Sequence, residues 1–213
     1  MSNDNPAENP GLLRGLWAVL SRPTSRWSLG GLLAFGIVTG IILWGGFNWA
    51  LELTNSETFC LTCHEMEQNN YREFRGTIHD ANRSGVRATC PDCHVPRPWI
   101  YKIIRKIQAS NEVMHKLLGT IDSRDKFEAK RLELATHVWA AMKKTDSREC
   151  RNCHDFSAFD LTRQSARARA RHSEAEEQHK TCIDCHKGIA HQLPAGAFKA
   201  ERELNEALGA SHK

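Results

Sequence analysis

Two things are absent from this sequence: any useful stretch of period-two apolar alternation, and any cysteine that stands outside a pair. The first absence excludes a domain built on half-buried strands and leaves an all-α class with much irregular chain. The second leaves no spare thiol, because all eight cysteines fall into C-x-x-C pairs. Strong charge is missing too. A net charge of +4 over 213 residues is too mild to mark a nucleic-acid or polyanion partner. Beyond residue 51 continuous apolar runs are scarce, so that part of the chain would bury only a thin core unaided.

One apolar run does exist. Trp27 to Leu51 is uncharged for 25 residues, enough at about 1.5 Å per residue to cross a hydrocarbon core of roughly 30 Å. Arg14, Arg22 and Arg26 precede it, whereas residues 52–71 hold no Lys or Arg. The positive-inside rule then makes residues 1–26 a cytoplasmic tail, 27–51 a transmembrane anchor and everything after it external. Trp27, Trp44 and Trp49 sit where an interfacial aromatic belt belongs. A cleaved signal peptide would show a shorter apolar core and a small-residue cleavage site, so the anchor is expected to be retained.

The four cysteine pairs are each followed at once by histidine: Cys60-Leu-Thr-Cys63-His64, Cys90-Pro-Asp-Cys93-His94, Cys150-Arg-Asn-Cys153-His154 and Cys182-Ile-Asp-Cys185-His186. In C-x-x-C-H the two thiols add across the vinyl groups of haem and the adjacent histidine is placed to ligate the iron. Structural zinc also uses C-x-x-C, but does not require histidine at the same offset every time. Disulfides within the pairs would close tiny loops of redox type, not a scaffold. Four covalent c-type haems are therefore expected, and their macrocycles would supply the missing interior.

Amphipathic helices are predicted over 99–118 and from about 124 to 144. The first two motifs begin 30 residues apart and the last two 32, with a non-motif histidine inside each interval, His79 in the first and His172, besides His179, in the second. This suggests two dihaem repeats. The repeat breaks at His191, five residues past His186, because Trp99 occupies the matching position after His94. His79, His172 and His191 are thus candidates for the second axial ligands. His115 and His137 are weaker, and His179 and His212 read as surface residues. In Cys63-His64-Glu65-Met66 the Met66 thioether can reach the same iron face as His64, which would raise that haem's potential.

One anchor followed by four such motifs resembles the NapC/NirT family of tetrahaem quinol dehydrogenases. Thr77-Ile-His79, Asn82 to Cys90, Cys93-His94-Val-Pro, Lys106-Ile-Gln-Ala-Ser110 and Cys182 to His191 carry the likeness over about residues 27–193. It implies a tetrahaem domain over 52–193, with 194–213 a C-terminal tail. It also implies oxidation of menaquinol or ubiquinol at the outer face of a bacterial inner membrane, and delivery of electrons to a periplasmic reductase. Details look most similar to the branch serving nitrate reductase. The resemblance makes Met66 the ligand of the first haem, displacing His64, and assigns His191 to the second and His79 to the third. His172 is the choice for the fourth, although repeat symmetry equally sends it to the first. It places Lys106 and Glu112 at the quinol pocket, even though six residues on one helix differ by about 240°. The basic run Arg163, Arg167, Arg169, Arg171 can meet an acidic partner, pair with haem propionates or form a solvated face. Rival functions are a multihaem reductase of a small nitrogen oxyanion, a relay to a nitrite or other reductase, and a passive carrier.

Overall fold

The computed structural model describes Gly11, Arg14, Gly15, Trp17 and residues 29–210. The chain divides into two compact units after Leu53. In the first, α1 (Leu29–Leu53) is the only described helix long and apolar enough to span a bilayer, and none of its apolar stretch is buried by protein. Its glycines would weaken a helix in water, but in lipid every backbone group must bond within the segment, and a helix achieves this. The one carboxamide, Asn48, donates to the Trp44 carbonyl four residues back (2.9 Å). Trp27, Ser28 and, from the segment expected as a cytoplasmic tail, Arg22 and Arg26 lie outside the described residues.

The second unit is helical, with no strand among the described residues. In order come α2 (Glu57–Cys60), a π-helical turn (Met66–Tyr71), α3 (Arg72–Phe74), α4 (Cys90–His94), α5 (Trp99–Leu117) and α6 (Arg124–Lys144). There follow α7 (Arg148–Arg151), two 3-10 turns (Phe156–Ala158 and Leu161–Arg163), α8 (Ala166–Glu177), α9 (Cys182–Cys185) and α10 (Ala197–Ala210). The two long helices match the predicted spans closely. Pro98 sets the start of α5, and the Ser123 hydroxyl caps α6 by accepting from the Lys126 N–H (3.4 Å).

The core is thin, as composition implied. Buried apolar side chains among the described residues are Phe74, Phe127, Trp139, Ile183 and Ala197. Trp139 of α6, Ile183 of α9 and Ala197 of α10 form one cluster, flanked by Ala135, Met142 and Leu204. The segment expected as a tail thus contributes a packed helix, because Ala197 and Leu204 fall on one face of it. Its docking holds the fourth motif in place: Lys143 of α6 pairs with Asp184, and Lys187 pairs with Glu201 of α10.

Candidate haem and quinol sites

Local bonds shape each cysteine pair. In α4 the Thr89 N–H and hydroxyl both donate to Asp92 Oδ2 (2.9 and 2.7 Å), closing one helical turn across Cys90 and Cys93. Thr181 and Asp184 repeat the device in α9 (2.7 and 2.9 Å). Cysteines three apart on one turn share a face, the geometry needed to hold both edges of one macrocycle. The first motif instead begins on α2, whose cap is the Ser56 hydroxyl accepting from the Phe59 N–H (3.2 Å). No cysteine is bonded to another.

Each of the last three motif histidines faces a second imidazole. Ring centres are 6.3 Å apart for His94 and His191, 6.2 Å for His79 and His154, and 6.0 Å for His172 and His186. An iron held between two imidazole nitrogens at roughly 2 Å each needs ring centres roughly 6 Å apart, so these residues fit haem. Burial pushes His94 down to about 4 and also lowers His191 and His186, keeping the rings neutral and able to act as ligands.

Residues that the motif pattern could not reveal hold those rings. The Gln164 side-chain oxygen lies 2.6 Å from His172 Nδ1, which favours a proton there and leaves Nε2 toward His186. The loop that presents His79 is closed by Asn82, whose amide donates to the carbonyls of Ile78 and Val86 (2.9 and 2.7 Å). Arg87 then ties the loop to the first motif, bridging Asp80 (2.8 Å) and Glu57 (2.7 Å). His191 is followed by Gln192, whose N–H donates to Glu73 (2.9 Å), and Glu73 is clamped by Arg131 (2.6 Å).

The first motif differs. His64 is exposed and points Nδ1 at Glu65 (2.9 Å), a buried carboxylate that also pairs with Lys116 of α5. Met66 opens the π-helical turn, and Asn70 donates to its sulfur (3.4 Å). Of the remaining histidines, His115 contacts Thr120 (3.2 Å), His137 and His179 are exposed, and His212 lies outside the described residues.

Neighbouring motifs touch in series. The sulfurs of Cys60 and Cys90 are neighbours, as are those of Cys150 and Cys182, and α4 packs against α7, which brings the second motif to the third. Lys106 donates to the Thr54 carbonyl and hydroxyl (2.6 and 3.2 Å), and Glu112 pairs with Arg105 (2.7 Å). The two side chains therefore do not bond each other, yet both lie near Cys60 of the first motif.

The model of the NapC/NirT cytochrome c family, N-terminal region, matches residues 22–196. The chain belongs to the NapC/NirT cytochrome c family. It is 58% identical over 189 residues to the denitrification system component NirT of Stutzerimonas stutzeri, covering 89% of this chain and 94% of that one. It is 57% identical over 185 residues to the cytochrome c-type protein NapC of Paracoccus pantotrophus, covering 86% and 78%. To the NapC of Escherichia coli K12 it is 51% identical over 190 residues, covering 89% and 94%. No solved structure matches the chain. As a NapC/NirT cytochrome it carries four c-type haems and is a membrane-anchored electron-transfer protein.

Proposed function

We propose that the protein is a quinol dehydrogenase: it oxidises menaquinol or ubiquinol beside the first haem and passes the electrons to a periplasmic reductase, foremost a nitrate reductase. The N-terminus is cytoplasmic, the anchor lies in the bacterial inner membrane and the haem domain is periplasmic, a reading supported by the Lys and Arg asymmetry about the anchor. The observation that carries the quinol reading is Lys106: its ammonium is held at Thr54, the residue after α1 and six before the first motif at Cys60.

When bound, each haem supplies a one-electron ferric/ferrous couple. We assign His94 with His191, His154 with His79 and His186 with His172 to the second, third and fourth irons, a reading supported by the ring spacings. Met66 would ligate the first, with His64 displaced, which the pairing of His64 with Glu65 supports. Quinol oxidation releases two electrons and two protons. Lys106 orients the quinol oxygen, and Glu112, steadied by Arg105, accepts the two protons in turn and passes each to water, while the two electrons would leave one at a time through the first haem. The series of touching motifs supports a path from first to fourth haem.

Names among the relatives support a second reading of the partner alone: NirT is called a denitrification system component, so a relay to another reductase fits equally. A terminal reductase needs an open iron, and the three facing imidazole pairs argue against that. The test is Lys106→Met and Glu112→Gln in membranes supplied with a quinol analogue. Both lose at least about tenfold in quinol-driven haem reduction while dithionite still reduces all four haems. Normal quinol kinetics in both variants removes this site from consideration.

A further inference from the structure

The helix α5 (Trp99–Leu117) is amphipathic, yet none of its residues is buried. Its apolar stripe faces outward. Ile100, Ile104, Ile107, Met114 and Leu118 are 55%, 45%, 67%, 55% and 66% exposed. At about 100° per residue they fall within roughly 80° of arc, with Asn111 the polar residue among them.

The opposite side of the helix holds the contacts to the rest of the unit. Tyr101 lies under the Arg148 guanidinium (4.4 Å), Lys106 reaches Thr54 and Lys116 pairs with the buried Glu65. Arg105 is close enough to His94 for its charge to act on that ring. These four residues centre roughly 160° around the helix from the apolar stripe. The first, second and third motifs therefore all lie behind the polar face, on the side of the helix away from the stripe. A soluble domain inverts this order, burying its apolar face and solvating its charges.

We infer that α5 lies in the lipid surface as an interfacial helix, its Ile100, Ile104, Ile107, Met114 and Leu118 stripe buried among acyl chains. The occupant follows from connectivity. Thr54 comes directly after Leu53, where the spanning helix ends, and Lys106 bonds to Thr54 through both its carbonyl and its hydroxyl. A chain leaving the bilayer at Leu53 thus has α5 within one side-chain length of the headgroups. Trp99 and Tyr101, 44% and 48% exposed at the start of the helix, are the residue types that settle at that boundary. The arrangement gives the domain a second hold on the membrane and keeps Lys106 beside the lipid. It rests on membrane anchorage and not on quinol as donor.

The test uses the full-length, haem-loaded protein at one copy per lipid nanodisc. Single-cysteine variants Ile104→Cys, Ile107→Cys and Leu118→Cys are treated with a membrane-impermeant maleimide, with the exposed Glu133→Cys of α6 as reference. Labelling is read by intact mass, which also verifies four haems in each variant. In parallel, the unmodified protein is photolysed in discs containing acyl-chain photocrosslinkable lipid, which needs no variant to fold. The stripe positions label at least about tenfold more slowly than the reference, and acyl adducts map to residues 99–118. Labelling at the reference rate overturns the inference. So does protection without acyl adducts, which means protein covers the stripe, and so does protection seen only with two copies per disc, which means a second chain does. None of these readouts uses quinol, so they are independent of the oxidation assay.

Discussion

The rings of His79 and His154 stand 83° to each other at 6.2 Å, whereas His94 with His191 and His172 with His186 are inclined at only 30° and 32°. Crossed axial imidazoles leave the iron d-orbitals nearly degenerate; more nearly parallel ones split them. One haem should therefore give a highly anisotropic low-spin electron paramagnetic resonance signal beside two rhombic ones. His79→Ala should remove the anisotropic signal alone and create one high-spin haem, with all four still attached. Loss of a rhombic signal instead would reassign the pair.

Glu73 and Arg131 form a two-bonded pair (2.6 and 2.9 Å) with side chains only 8% and 10% exposed. Burial by itself raises the Glu73 carboxyl, but the bonds from Arg131 and the Gln192 N–H win and hold it below its ordinary 4.5. A carboxylate depressed on folding stabilises above its unfolded value and loses that contribution as pH falls through the folded one. Acid titration of the wild type should therefore loosen the His191 segment below about 4.5. Glu73→Gln should cost roughly 2–4 kcal/mol at neutral pH and flatten that acid limb. Denaturant curves at several pH values, read on the haem bands, check both.

Ser147 is fully buried with a left-handed backbone (φ 49°), and its hydroxyl accepts from the Ile183 N–H (3.1 Å). It fastens the third motif to the fourth. Ser147→Ala should strand that amide and cost about 1–2 kcal/mol, seen as a lower melting temperature with haem content unchanged. An unaltered transition would show that the bond contributes nothing net.

Arg163, Arg167, Arg169 and Arg171 are exposed, and Arg171 pairs with Glu174 (2.6 Å). Three of them occupy the first half of α8 while Glu174, Glu176 and Glu177 end it, the reverse of what the helix dipole favours. Arg167 and Arg171 lie about 40° apart around α8, and the face they share suits an anionic partner beside His172. Arg167→Glu with Arg171→Glu should slow electron delivery to an acidic acceptor by about tenfold, an effect that fades at high salt. Quinol-driven haem reduction should be unchanged.

Much of this protein was legible in the residues themselves. Haem attachment is written in four local C-x-x-C-H strings, because the reacting groups lie within one turn of chain. The anchor is legible because crossing lipid is a matter of length and polarity, and α5 and α6 because an apolar repeat of three and four is a property of the helix alone. Which histidine faces which came from the family resemblance and not from spacing: His79 and His154 are far apart in sequence, and folding alone sets their rings 6.2 Å apart. The Glu73, Arg131 and Gln192 clamp escaped sequence reading for the same reason, since nothing in a single Arg signals a partner 58 residues away. Tertiary structure likewise decided that residues 197–210 pack on α6, and that α5 turns its charges inward and its apolar stripe out. A periodic pattern states that a helix has two faces; only the neighbours it meets determine which one turns toward the protein.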